Sequence, residues 1–181
     1  MRTIRLVRHG RAAHARASWL DRVGVVRWLE AYDQAGVVEH DQPPRALRKS
    51  PGLVVASDMP RAAESARLLD PAFRTSPLLR EATLIIPKMK GRWPLMMWAL
   101  MIGIRWLRAI RKGEWPSADD YARGEEAADW LDALSADADA ITAVTHAGFR
   151  RILTPALERR GWTRHGKRKG HHWSVRMLTK P

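Results

Sequence analysis

Three short apolar runs, each followed by polar residues and then by helical spacing of apolar residues, constrain the fold of this chain most strongly. The runs occupy residues 3–7, 52–56 and 140–145, a length that suits β-strands. Helical spacing follows in residues 18–35, from Pro60 to about Leu69, and again from Phe149. Because strands alternate with helices, the pattern predicts an α/β fold with a mostly parallel sheet.

Two further elements are predicted between and after these units. Residues 117–135 carry apolar side chains on one face of a helix, and residues 173–178 alternate like a half-exposed strand at or near a sheet edge. Ser57 or Asp58 is expected to cap the helix that starts at Pro60, since proline suits the first helical turn.

Composition limits the class of protein and the class of partner. The 181 residues, 45% of them hydrophobic, are enough for one core, so we expect a single domain over residues 1–181. The chain has 32 Lys and Arg against 19 Asp and Glu, and the net charge of +13 favours phosphate esters, nucleic acid or acidic lipid. The absence of cysteine excludes disulfides and Cys-based phosphatase chemistry. With no signal-peptide pattern at the N-terminus, we expect a cytoplasmic protein.

Basic and imidazole side chains follow the three predicted strands. Arg8 and His9 come directly after the first strand, Arg61 lies in the helical turn after the second, and His146 follows the third. Ligands of α/β proteins bind at the carboxyl ends of parallel strands, so these four residues are expected to converge. Helix N-termini at the same edge add N–H groups, and the sequence therefore predicts a phosphate-handling site there.

The segments that carry these residues resemble the histidine phosphatase superfamily, which includes the phosphoglycerate-mutase-like proteins. They read LVRHG at 6–10, SDMPRA at 57–62 and VTHAG at 144–148, and LREA at 79–82 is similar to the segment that supplies a catalytic acid. The resemblance implies a three-layer α/β/α sandwich with a mostly parallel central sheet. It also implies a phosphatase that uses neither metal nor cofactor and acts on a small phosphorylated substrate.

The resemblance further implies a role for each matching residue. His9 is the nucleophile that accepts the phosphoryl group, and its reactive nitrogen has to be unprotonated. Arg8, Arg61 and His146 hold the phosphoryl oxygens, and His146 also belongs to the catalytic set. Glu81 protonates the leaving group and then activates water to cleave phosphohistidine.

The chain departs from the family pattern in two places. Residues 11–14 read RAAH, without the acidic residue and the threonine that often follow the first motif, and Ala147 replaces a common glycine. We therefore favour hydrolysis over phosphomutase activity, which remains the alternative enzyme. A catalytically silent basic module for membrane or nucleic acid is the alternative from another class, although the intact Arg8, His9, Arg61 and His146 argue against it.

A tryptophan-rich segment at about 84–116 matches no part of the family pattern. Its uncharged run is shorter than the roughly 20 apolar residues that span a bilayer, and Arg105, Arg108 and Lys112 recur at helical spacing. A helical cap over the active site, a membrane-surface helix and a dimer contact all fit, and residues 92–112 could meet an anionic membrane. Four of the nine tryptophans fall here: Trp93, Trp98, Trp106 and Trp115.

The basic tail at 159–172 contains patterns that we reject. Residues 161–167 nearly match a phosphate-binding loop, but Arg168 replaces its Ser or Thr. His165, His171 and His172 have no carboxylate or cysteine nearby in sequence, so a solvated basic loop is expected rather than a metal site. Nucleic-acid binding is not expected, since no nucleic-acid-binding motif accompanies the basic run.

Overall fold

The computed structural model describes residues 1–15, 17–49, 51–166 and 170–181. The strands are β1 (Arg2–Arg8), β2 (Trp19–Leu20), β3 (Leu53–Ser57), β4 (Arg74–Ser76), β5 (Trp93–Pro94), β6 (Ala140–Thr145), β7 (Thr163–His165) and β8 (Val175–Lys180). The helices are α1 (Arg22–Asp33), α2 (Arg45–Lys49), α3 (Pro60–Arg67), α4 (Leu95–Arg111), α5 (Ala118–Leu134) and α6 (Phe149–Arg159), with a 3₁₀ turn at Pro77–Leu79.

Six of the described strands form one sheet in the order β4-β3-β6-β1-β8-β7. The pairs β4/β3, β3/β6 and β6/β1 are parallel, whereas β8 runs antiparallel to β1 and β7 antiparallel to β8. Because β1, β3 and β6 are neighbours in one direction, the residues that follow them meet at one edge. The predicted mostly parallel α/β sheet is confirmed.

Helices cover both faces of this sheet. Leu6 and the neighbouring strands pack against α5 and α6 in one hydrophobic cluster, while Val7 and its neighbours pack against α2 and α3 in the other. Successive side chains of a strand point to opposite faces, so Leu6 and Val7, both fully buried, serve different layers. This arrangement confirms the three-layer α/β/α sandwich.

The predicted strands and helices correspond to β1, α1, β3, α3, α5, β6, α6 and β8 in the structure, with small shifts at their ends. The predicted cap of α3 is wrong: the N-cap residue is Met59, with no side-chain hydrogen bond, because Asp58 accepts from Arg80 instead. The basic tail is also not wholly a loop, since β7 forms the sheet edge beside β8. Residues 167–169 of the phosphate-loop pattern lie outside the described residues.

The tryptophan-rich segment forms the short strand β5 and the long helix α4. β5 pairs with β2, and the fully buried Trp98 donates from Nε1 to the Leu20 carbonyl at 2.9 Å. Two anchors therefore tie this segment to the region before α1. Within the described ranges, no helix combines the length and apolar content needed to cross a membrane.

Candidate active site

His9 lies at the carboxyl end of β1 with a defined tautomer. Its backbone N–H donates to the Thr145 carbonyl at 3.0 Å, and its Nδ1 lies 2.7 Å from the Gly10 carbonyl oxygen. A carbonyl oxygen only accepts, so Nδ1 carries the proton, and the unprotonated Nε2 accepts a hydrogen bond from Arg61 Nε. The ring is only 2% exposed, which leaves Nε2 facing the charged groups of the site.

The surroundings of His9 keep the imidazole neutral. The pKa of His9 is lowered from 6.5 to about 3, mainly by burial. The hydrogen bond to Gly10 raises the pKa, whereas the nearby guanidinium groups of Arg61 and Arg8 lower it. The side chain is therefore unprotonated at neutral pH. An unprotonated ring nitrogen is the state that a nucleophilic histidine requires.

Arg61 is held directly beside this nitrogen. Its Nε lies 3.3 Å from His9 Nε2, and its Nη2 forms an ion pair with Asp33 Oδ1 at 3.1 Å. The guanidinium carbon also lies 4.6 Å from the ring centre of Tyr32. With 1% exposure, the guanidinium is a fixed, desolvated cation whose planar fork suits phosphate oxygens.

His146 and Arg8 complete a cluster with unused donors. The His146 ring lies 5.0 Å from that of His9, is fully buried, and has no hydrogen-bond partner at either nitrogen among the described residues. Burial holds its pKa well below the ordinary value. Arg8 donates from Nη1 to the Gly170 carbonyl, while its buried Nε has no partner in the same ranges. Buried polar atoms normally have partners, and an anion bound here would supply them.

Glu81 stands at the N-terminus of α6, beside the same cleft. Its Oε1 accepts from Phe149 N at 2.8 Å and from Ala82 N at 2.9 Å, and its Oε2 lies 3.4 Å from Gly148 N. A Cβ atom at position 148 would lie 2.6 Å from Oε1, so glycine there leaves room for the carboxylate. The α6 terminus therefore anchors Glu81, which lines the same cleft as His9.

Arg123 and Asp120, which the sequence did not single out, position the Glu81 segment. Arg123 donates to the carbonyls of Arg80 at 2.7 Å and Glu81 at 3.1 Å, and to Asp120 Oδ1 at 2.6 Å. Asp120 Oδ2 in turn accepts from Thr83 N at 2.9 Å. The only sequence signal was an acidic and a basic residue three positions apart on one helix.

His172 is a third histidine near His9; it lies in a loop, as predicted, but it is partly buried rather than fully solvated. Its ring centre lies 5.6 Å from that of His9, and its Nδ1 lies 3.3 Å from the His9 carbonyl oxygen. Burial, followed by the charge of Arg8, lowers the pKa of His172. Nothing in its local sequence pointed here, because β8 brings the residue in from the far end of the chain.

Gly10 and Ser65 join the histidine loop to α3. Gly10 N donates to Ser65 Oγ at 2.8 Å, and that hydroxyl donates to the Arg61 carbonyl at 2.6 Å. A Cβ atom at position 10 would lie 2.7 Å from Asp41 Oδ2 and 2.8 Å from the Trp173 ring. Only glycine allows this close packing, which keeps the loop that carries His9 next to the helix that carries Arg61.

Arg8, His9 and Arg61 line an open cleft of about 730 Å³, as does Glu81. The opposite wall comes from α1, where the rings of Trp28 and Tyr32 stack 5.6 Å apart. An Arg80 and Asp58 pair, joined at 2.7 Å, lies on the rim. The cleft thus combines a cationic base with an aromatic wall. Its polar lining includes Arg8, His9, Asp58, Arg61, Arg80 and Glu81.

The solved structures that are similar to this chain include the following two proteins. The product of open reading frame Rv3214 from Mycobacterium tuberculosis is 14% identical with a TM-score of 0.56, covering 97% of this chain and 90% of that one. A mutant phosphoserine phosphatase from Entamoeba histolytica, in complex with phosphoserine, is 12% identical with a TM-score of 0.54, covering 99% and 96%. No protein-family model matches the sequence, and no curated protein gives a significant match. The chain therefore shares the fold of these two proteins, which agrees with the α/β/α sandwich that its sequence motifs predict.

Proposed function

We propose that this protein is a metal-independent phosphatase that hydrolyses a small phosphate monoester through a phosphohistidine on His9. The observation that carries the proposal is the unprotonated Nε2 of His9 beside the buried Arg61, together with the unused donors of His146 and Arg8. The similar fold of a phosphoserine phosphatase supports the same reaction class. No group outside the chain is needed for the reaction, because the cationic side chains can neutralise the phosphoryl oxygens.

The first step transfers the phosphoryl group to the enzyme. His9 Nε2 attacks phosphorus, the ester P–O bond breaks, and its electron pair goes to the leaving oxygen, which takes a proton from Glu81. Positive charge develops on the imidazole, where the Nδ1–H bond to the Gly10 carbonyl stabilises it. Arg8, Arg61 and His146 hold the three other oxygens.

The second step releases inorganic phosphate. Glu81, now a carboxylate, takes a proton from water as the water oxygen attacks phosphorus and the P–N bond breaks. The electron pair of that bond returns to His9 Nε2. The Arg123 and Asp120 contacts to residues 80–83 keep Glu81 at the cleft during both steps.

A phosphomutase reaction is the alternative at the same site. It differs only in that a second substrate hydroxyl, rather than water, accepts the phosphoryl group. We favour hydrolysis because Ala12 and Ala13 offer no side-chain hydroxyl or amide to hold a second sugar or acid group. Addition of a competing alcohol or a second phosphate ester, with product analysis, separates transfer from hydrolysis.

The chemistry is tested with p-nitrophenyl phosphate in the presence of EDTA. We expect turnover by the wild type and by His40→Ala, which removes an exposed histidine, and none by His9→Ala. Quenching with alkaline detergent and labelled substrate should trap a base-stable phosphoenzyme in the wild type alone, and acid should release its label. Full activity of His9→Ala would refute the role of His9, and loss of turnover in EDTA would refute metal independence.

We also propose that residues 84–116 form a cap whose outer face meets an anionic membrane through residues 92–112. Met96, Leu100 and Leu107 lie on one face of α4 and are 85%, 55% and 50% exposed, and Arg108 and Arg111 lie in its last turn. An apolar face flanked by arginine is typical of interfacial helices. The net charge of +13 favours the same partner over neutral lipid.

Co-sedimentation with vesicles tests this surface. We expect binding to phosphatidylglycerol-rich vesicles, weaker binding to pure phosphatidylcholine, and a loss in Leu107→Glu. The control is Leu68→Glu, at an exposed leucine outside this segment. Equal sedimentation of wild type and Leu107→Glu would refute membrane contact through α4, and dimerisation lost in the same variant would assign the face to a second copy.

We further propose a cytoplasmic location for the protein. A chain of this size without cysteine is compatible with a reducing compartment, and the substrate class is abundant there. Cell fractionation tests it: recovery in the periplasmic or extracellular fraction would refute the proposal.

A further inference from the structure

A second cleft adjoins the proposed active site. It has a volume of about 300 Å³ and lies between residues 81–85 and α4. Four residues line both clefts, so the two cavities share the segment that carries the proposed acid: Glu81, Ala82, Thr83 and Leu84. Its walls are mainly apolar and include Leu84, Ile85, Ala99, Ile102, Trp106 and Trp115.

The walls of this second cleft are formed by packed side chains. The rings of Trp106 and Trp115 meet edge to face at 5.2 Å, and the Arg151 guanidinium lies 4.4 Å from the Trp106 ring centre. Gly103 borders the opening, and a Cβ atom added there would meet nothing within 4 Å. The cleft is therefore an accessible space with a preformed aromatic side.

The proposed chemistry sets the direction of the substrate. The leaving oxygen must face Glu81 to receive its proton, so the organic group attached to that oxygen begins beside Glu81. Two of the residues that line the second cleft, Glu81 and Arg151, carry charge, and Thr83 carries a hydroxyl. A polyhydroxylated or zwitterionic group would leave most of its hydrogen bonds unmade there, whereas a hydrocarbon chain would be desolvated without loss.

Resting on the proposed function, we propose that the natural substrate is an amphiphilic phosphate monoester. Its phosphate binds at His9 and Arg61, and its hydrocarbon chain lies in the cleft beside α4. The two clefts share the segment of residues 81–84 as lining, so the phosphate and the hydrocarbon chain of one molecule would both lie beside Glu81. The exposed apolar face of α4 adjoins the same cleft, so a substrate drawn from a lipid surface would reach it directly.

Binding of alkylphosphonates tests the inference without turnover, because their C–P bond resists hydrolysis. We measure affinity by isothermal titration calorimetry for ethyl-, butyl-, hexyl- and octylphosphonate, below their micelle concentrations. Full burial of a methylene favours binding about fourfold, and since the cleft is open on one side we expect about twofold per methylene, or roughly 60-fold from ethyl to octyl. Affinity independent of chain length overturns the inference.

Variants locate the effect in the second cleft. Ile102→Glu places a charge among the apolar walls and should reduce the octyl-to-ethyl affinity ratio at least tenfold. Gly103→Phe adds a large side chain at a position with free space, so we expect it to fill part of the second cleft. It replaces Ile102→Glu as the test if that variant does not fold. Leu68→Glu lines neither cleft and should keep the wild-type ratio. An unchanged ratio in both cleft variants overturns the inference.

The two proposals fail in different ways. Absence of p-nitrophenyl phosphate turnover, with chain-length-dependent phosphonate binding, would refute the phosphatase and leave an amphiphile-binding site. Turnover that requires His9, with a flat phosphonate series, would keep the phosphatase and refute the amphiphilic substrate.

Discussion

Acidification from pH 7 to pH 5 should destabilise the wild-type protein more than a His9→Asn variant. Burial lowers the pKa of His9 to about 3 in the folded protein, against an ordinary value of 6.5 in the unfolded chain. Between these values the unfolded state binds the extra proton, so the free energy of unfolding falls as the pH falls. This contribution to stability is complete above pH 6.5 and is lost progressively toward pH 3.

The size of the effect follows from the two pKa values. At pH 7 the side chain is largely neutral in both states, whereas at pH 5 it is almost fully protonated only in the unfolded chain. One pH unit in this range corresponds to 1.36 kcal/mol, so the 1.5 units between 6.5 and 5 give about 2 kcal/mol. The pKa of His146 is lowered as well, first by burial, which is the same in both proteins, and next by the charge of His9, which the variant lacks.

Urea denaturation at both pH values measures this difference. We expect the wild type to lose about 2 kcal/mol more than His9→Asn between pH 7 and pH 5. The control is His40→Asn, at an exposed histidine, which should follow the wild type. A difference below about 0.5 kcal/mol would show that burial does not hold His9 neutral in the folded protein. The unprotonated state that a nucleophile requires would then need another cause.

Three further predictions concern the site. Arg61→Lys should lower kcat/KM for p-nitrophenyl phosphate on the order of 10²-fold, since lysine cannot keep the planar contacts to phosphate and Asp33, and a loss below threefold would contradict this. Glu81→Gln should lower kcat for ethyl phosphate roughly 10²–10⁴-fold. The rate of the first, burst step with p-nitrophenyl phosphate should fall much less, because that leaving group needs no proton. Equal losses with the two substrates would contradict the acid role. Gly10→Ala should cost about 1–3 kcal/mol of unfolding free energy because its Cβ meets Asp41, whereas the control Gly103→Ala should gain up to about 1 kcal/mol; equal stabilities would contradict the packing argument.

Short-range patterns were sufficient for the strands β1, β3, β6 and β8, for most of the helices and for the main cluster of the site, but not for β4, β7 or α2. The runs that became β1, β3 and β6 are continuous apolar segments, and parallel neighbours place their following residues at one edge. Arg8, His9, Arg61 and His146 could therefore be grouped before any coordinate was known. Glu81 was placed only by resemblance, because its segment has no regular secondary structure to predict its direction.

Local patterns failed wherever a contact joins distant segments. His172 reaches His9 across 163 positions, and the cap of α3 was mispredicted because Asp58 pairs with Arg80 rather than with its own helix. The amphipathic pattern of α4 predicted a helix but not which face would be exposed, which depends on where Trp98 and Leu20 meet.

The alternation of strands and helices, and the residue types at the carboxyl ends of the strands, can be read from neighbours within a few positions of the chain. The tautomer and low pKa of His9, the place of His172, and the apolar cleft beside Glu81 follow instead from tertiary contacts. Those properties arise from burial and from packing between segments far apart in the chain, and no local pattern of residues encodes either.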